Sequence, residues 1–217
     1  MGLLDQIGDV ARTATYLAVL RNLLLIKKKP GQNGWPRGGT AIDEIVLHGT
    51  ESLGTQEQSA NSLTGLGNSI HYFIGRDHGL AYSIISEDLQ AAHAGNPAHH
   101  PTVQDHNPRS IGIEMYQRDI SVFKGDASKL DFTDWQYDTV AMLVYDIRRR
   151  RGIARNMVVA HSAINNIDRA DPRNFDWDRL NRKVDELSAT LESLLGPAFQ
   201  LDPPMPTPSM LMQLRRL

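Results

Sequence analysis

The 217 residues suffice for one well-buried core with length left over for appendages, and 41% apolar with 22% charged residues is ordinary for a globular protein. A formal net charge of -2 gives no electrostatic reason to expect nucleic acid as a partner. There is no cysteine, which excludes disulfides, thiolate zinc sites and cysteine nucleophiles; any transition-metal site must be built from His, Asp and Glu.

Residues 3–26 read as an amphipathic helix, with Leu3, Ile7, Val10, Ala14 and Leu17 at helical spacing. Lys27, Lys28 and Lys29 suit its C-terminal end, Pro30-Gly31 stops it, and the segment to Gly39 reads as a linker. The helix can pack on the main domain, dock to a larger assembly or lie on a membrane surface. Asp5 and Asp9 stand where a signal peptide would be basic, and the apolar run 16–26 contains Arg21 and is too short to span a bilayer. A cytoplasmic start is therefore expected, with export by another route left open.

The main domain is expected over 40–196. Ile42–Leu47 reads as a buried strand ending at His48. A short helix follows over 55–63, with Thr55 and Gln58 as a capping box. Strands are expected over 69–74 and 81–85, joined by a hairpin turn at 76–79, and another over 110–116. Thr133–Arg151 is a helix with Val140, Leu143, Val144 and Ile147 as its apolar stripe and Gly152 as its cap. Met157–Ala160 is a strand, a polar loop follows His161, and 178–195 is a helix with Leu180, Val184, Leu187, Leu191 and Leu194 on one face. The tail over 197–217 is rich in Pro and Met and reads as extended. These elements predict an α/β fold, a central mixed sheet flanked by helices, with an extra N-terminal helix. GxGxxG, Walker, HExxH and GxSxG motifs are absent from the sequence.

Eight histidines are the chain's only neutral metal donors of note. His48 and His161 each end an apolar strand, and each fits a structural histidine as well as a ligand. With Asp171 they form a set of three protein ligands suited to catalytic zinc. Glu114 falls on an otherwise apolar strand, where a carboxylate is costly unless paired, solvated or used. It reads as a salt bridge at a sheet edge or as a general base. His71 belongs to the core or to a cleft wall. His93 sits among small residues that let a ligand come close. His99, His100 and His106 read as solvated loop residues, and His78 as part of the hairpin turn.

Four segments then carry a resemblance: IVLHGT at 45–50, SIHYFIGRD at 69–77 with AAHAG at 91–95, SIGIEM at 110–115, and AHSAINNIDRADPRNFDW at 160–177. In this order they resemble the zinc-dependent N-acetylmuramoyl-L-alanine amidases of the amidase-2 class, which share a fold with peptidoglycan recognition proteins. The resemblance spans about residues 42–195. It implies zinc ligation by His48, His161 and Asp171. It also implies a catalytic role for Glu114, because the position where another branch carries a catalytic Tyr is Ile70 here. Arg169 stands where the family usually has an oxyanion-stabilising Lys, and charge is kept with a different geometry. His71 and His93 are implied to line the cleft around the stem peptide.

The expected function is zinc-dependent hydrolysis of the amide between N-acetylmuramic acid and L-alanine, with peptidoglycan or muropeptide as partner. A muropeptide-binding module without catalysis and a zinc peptidase acting on the stem peptide are the alternatives. A phage lysin or virion component, a cytoplasmic recycling enzyme and a delivered effector all fit the sequence. The N-terminal helix or the tail could dock to a larger assembly.

Overall fold

The computed structural model describes residues 26–95, 104–167, 169–196 and 201. Residues 3–25 of the helix expected over 3–26, residues 197–200 and 202–217 of the expected tail, and His99 and His100 lie outside them. Among the described residues eight strands form: β1 (Ile26–Lys28), β2 (Gly34–Pro36), β3 (Glu44–Gly49), β4 (Tyr72–Ile74), β5 (Ala81–Ser83), β6 (Leu89–Ala91), β7 (Ser110–Met115) and β8 (Val158–Ala160). The helices are α1 (Gln56–Ser62), α2 (Asp134–Arg151), α3 (His161–Ile164) and α4 (Trp177–Leu195).

The main sheet has six strands in the order β1-β5-β4-β7-β3-β8. β3 is parallel to both β7 and β8, and β4 is parallel to β7. The β4–β5 hairpin supplies the antiparallel pair that makes the sheet mixed. β2 and β6 form a second, two-stranded antiparallel sheet.

Strand alternation sorts the central strands into two faces. Ile45 and Leu47 of β3 and Ile111, Ile113 and Met115 of β7 turn to one side, where they pack with Tyr137, Val140, Leu143, Val144 and Ile147 of α2 and Leu180, Val184 and Leu191 of α4. Thr133 caps α2 in a capping box with Gln136, and Gly152 ends it in the left-handed region at φ 69°. The Thr55–Gln58 capping box opens α1 as expected. A smaller cluster joins Ala60 of α1 to Ile70, Phe73, Ile84, Ile85 and Tyr116. His48 and Glu114 fall on the sheet face opposite the α2–α4 layer.

Three segments differ from expectation. Ile26–Lys28 is not a helix end but an edge strand, paired parallel to β5 with Lys27 and Lys28 exposed. Lysines on an edge strand discourage pairing with other chains. The stretch to Gly39 is not a free linker. β2 pairs with β6, and buried Arg37 donates to the carbonyls of Glu87, Asn107 and Pro108. After β8 the chain makes the helical turn α3 before the polar loop begins. Among the described residues, no helix is long and apolar enough to cross a membrane.

Candidate active site

The site gathers at the carboxyl ends of β3, β7 and β8, where parallel strands of an open sheet usually present ligand-binding groups. Leu47 and Ala160 are register partners, so the residues after them, His48 and His161, meet with ring centroids 4.4 Å apart. Asp171 returns to this point from the following loop. Its carbonyl accepts from the Ser162 N–H at 3.1 Å, and its Oδ2 accepts from the Gly49 N–H at 3.3 Å. Gln117 Nε2 donates to the Arg173 carbonyl at 2.8 Å and so holds the same loop. Both carboxylate oxygens of Asp171 lie 3.2 Å from His161 Nδ1, and Oδ2 lies 3.5 Å from His48 Nδ1. The three side chains are buried, and one donor atom from each falls within 4.8 Å of the others. Two imidazoles and one carboxylate are the donor set of a catalytic zinc site.

Burial lowers His48 to about 4, so the ring is neutral near pH 7, the form that coordinates a metal. Burial alone would raise the Asp171 carboxyl, but His161 and His48 beside it outweigh that and hold the group well below the usual carboxylate range. Glu114 is pushed up to about 8, first by burial and then by the Asp171 charge, with Arg169 acting against both. A carboxyl tuned near neutrality is suited to moving protons in either direction. β7 lies inside the sheet between β4 and β3, so the sheet-edge reading of Glu114 does not hold.

A cleft of about 840 Å³ opens over these groups, lined among others by Trp35, His48, His93, Asn107, Glu114 and Arg169. Arg169 is the one Arg or Lys among the described lining residues. Six of the seven expected site residues thus converge: His48, His161, Asp171, Glu114, Arg169 and His93. His71 does not. It is fully buried, with its Nδ1 accepting from the Gly112 N–H at 2.9 Å and its Nε2 2.9–3.0 Å from Arg37 and the Leu89 carbonyl. Both ring nitrogens are engaged inside the protein, so His71 stitches strands together behind the cleft. His106 is likewise not a solvated loop residue; its Nδ1 meets Glu44 Oε2 at 2.7 Å.

Sequence reasoning missed Asn107, Gln117 and Trp35. Asn107 Oδ1 accepts from the N–H groups of His93 and Ala94, and its Nδ2 donates to the Gly95 carbonyl, which fixes the loop carrying His93. Asn107-Pro108 carries only a turn signal in sequence. The one usable clue was Gly112: a Cβ there would come within 2.7 Å of His93 Nδ1, which marks a close approach on an otherwise apolar strand.

A family model described as Amidase_2, N-acetylmuramoyl-L-alanine amidase, matches residues 38–174. No curated protein matches the sequence. Among solved structures, a selenomethionine derivative of AmpD aligns with TM-score 0.58 and 23% identity, covering 73% of this chain and 94% of that one. AmpDh3 from Pseudomonas aeruginosa, in complex with anhydromuramic pentapeptide, aligns with TM-score 0.53 and 22% identity over 81% of this chain and 73% of its own. AmiD from E. coli, in complex with anhydro-N-acetylmuramic acid-L-Ala-D-gamma-Glu-L-Lys, aligns with TM-score 0.52 and 25% identity over 71% and 60%. With the mixed sheet flanked by helices and a family match over more than half its length, the chain belongs to the amidase-2 family of N-acetylmuramoyl-L-alanine amidases.

Proposed function

We propose that the chain hydrolyses the amide between the lactyl group of N-acetylmuramic acid and L-alanine, with one zinc ion held by His48, His161 and Asp171. The observation that carries this reading is the convergence of those three donors beside Glu114, which stands across from His48 in the strand register. Zinc bound there supplies Lewis acidity toward the amide carbonyl and lowers the pKa of a water. The protein's own groups do the rest. Neutral His48 and anionic Asp171 are held ready for a cation. The Glu114 carboxylate takes a proton from the attacking water as its oxygen bonds to the carbonyl carbon. The same carboxyl then delivers a proton to the amine nitrogen as the C–N bond breaks. Arg169 places a fixed positive charge beside the developing oxyanion, where a preorganised charge is most effective.

The solved relatives with bound anhydromuramyl peptides support a muropeptide or peptidoglycan substrate, and a cleft of about 840 Å³ has room for such a ligand. Mass spectrometry of purified peptidoglycan after digestion tests the assignment. New peptides with free N-terminal L-alanine are expected. A cut between stem residues would make the protein a peptidase, and bound muropeptide without product would make it a binding module.

A further inference from the structure

We propose that His93 is a positioning residue that sets the ring tautomer of His48, so that His48 presents an unprotonated Nδ1 toward Asp171. The inference rests on the reading of His48, His161 and Asp171 as a zinc site, and it gives His93 a role beside the cleft-lining one that the sequence suggests.

Ser110 Oγ lies 2.6 Å from the His106 carbonyl, and a carbonyl can only accept. The hydroxyl hydrogen is therefore committed there. The same Oγ lies 3.2 Å from His93 Nε2, and it can now only accept from that nitrogen. His93 accordingly carries its hydrogen on Nε2, and its Nδ1 is a bare acceptor. That Nδ1 lies 3.0 Å from His48 Nε2, which must be the donor. A neutral imidazole holds one ring hydrogen, so His48 Nδ1 is left with a lone pair. This lone pair faces Asp171 Oδ2 at 3.5 Å. Two acceptors set against each other are favourable only with a cation between them, which agrees with the proposed zinc site.

The relay is rigidly built. The Asn107 side chain fixes the backbone of His93 and Ala94, and the missing side chain at Gly112 makes room for the His93 ring. Ring orientation through the second nitrogen is how metal-ligating histidines are commonly tuned, and losing such a partner typically costs about 10- to 100-fold in metal affinity. Here the partner is another histidine, whose own tautomer is dictated by a serine hydroxyl and a backbone carbonyl.

Two measurements on the full chain test this. Long-range ¹H–¹⁵N correlation spectra of the zinc-free protein, with His48 assigned by comparison with His48→Ala, are expected to show His48 and His93 both in the Nε2–H form. Zinc affinity by competition with a chromogenic chelator is expected to fall about 10- to 100-fold in His93→Phe, which keeps a ring but loses the acceptor. His93→Asn, whose Oδ1 can take the place of Nδ1, is expected to restore most of the affinity. An Nδ1–H tautomer of His48 in the wild type overturns the proposal, as does a His93→Phe variant that binds zinc like the wild type. If His93→Phe does not fold, the wild-type tautomer still decides. A wild type that takes up no zinc overturns the zinc reading instead, while the spectra continue to judge the relay.

Discussion

Glu114 is the register partner of His48 across β7 and β3, so the proposed proton-transfer group and a proposed metal ligand project from one face of the sheet at neighbouring positions. This separates the two functions by residue. Glu114→Gln is expected to retain zinc at wild-type stoichiometry while kcat falls about 100- to 10,000-fold, the usual worth of a general acid–base group. His161→Ala is expected to lose zinc and activity together. An active Glu114→Gln enzyme would remove Glu114 from the chemistry.

Arg169 tests what the cation in the cleft contributes. Arg169→Ala is expected to lower kcat about 100- to 1,000-fold, the scale of losing one oxyanion-stabilising group. Arg169→Lys keeps the charge and is expected to recover most of that loss. Equal damage from both substitutions, in steady-state kinetics on a soluble muropeptide, would mean that the planar fork matters rather than the charge.

Burial of histidines predicts acid sensitivity of the zinc-free protein. His71 is lowered from the ordinary 6.5 to about 4, chiefly by burial. Below pH 6.5 the unfolded chain takes up a proton that the folded ring refuses until about pH 4. The stability tied to neutral His71 is thus fully present above pH 6.5 and is lost as pH falls toward 4, on the order of 3 kcal/mol. Burial shifts His48 and His93 in the same direction. Urea unfolding at pH 7 and pH 4.5 is expected to show this fall, and His71→Asn, which keeps an acceptor for the Gly112 N–H, is expected to fall less steeply. An identical pH dependence in the variant would contradict the assignment.

Gly112 sits where no larger residue fits. A Cβ there would approach Ile70 Cδ1 at 2.4 Å and His93 Nδ1 at 2.7 Å. Gly112→Ala is expected to destabilise the fold by about 1–3 kcal/mol through overpacking. It is also expected to weaken zinc binding by displacing the His93 ring. Thermal unfolding and zinc titration of the variant check both effects, and an unperturbed protein would show that the ring has room to move.

The parts of this protein that were legible in sequence are those whose signals are local. β3 carrying His48 near its end, the capping boxes at Thr55 and Thr133, the Gly152 cap and the stripe of α2 are written in contiguous residues. The convergence of His48, His161, Asp171 and Glu114 on one cleft was legible because each sits at a strand end, on an apolar strand or in the loop that follows. β1, β2 and β6 were not, since three-residue strands are too short to show a period and owe their form to their pairing partners. The roles of His71 and His93 were equally hidden. Both rings hang over Gly112, and which one faces the cleft depends on tertiary register that no local pattern encodes.

Dependence of the cleavage on one bound zinc is tested by titrating zinc back into chelator-treated protein while counting peptides with free N-terminal L-alanine released from purified peptidoglycan. Release is expected to rise from near zero and to saturate at one zinc per chain. Full release without zinc, or none at one equivalent, would show that the cleavage does not run on one zinc held by His48, His161 and Asp171.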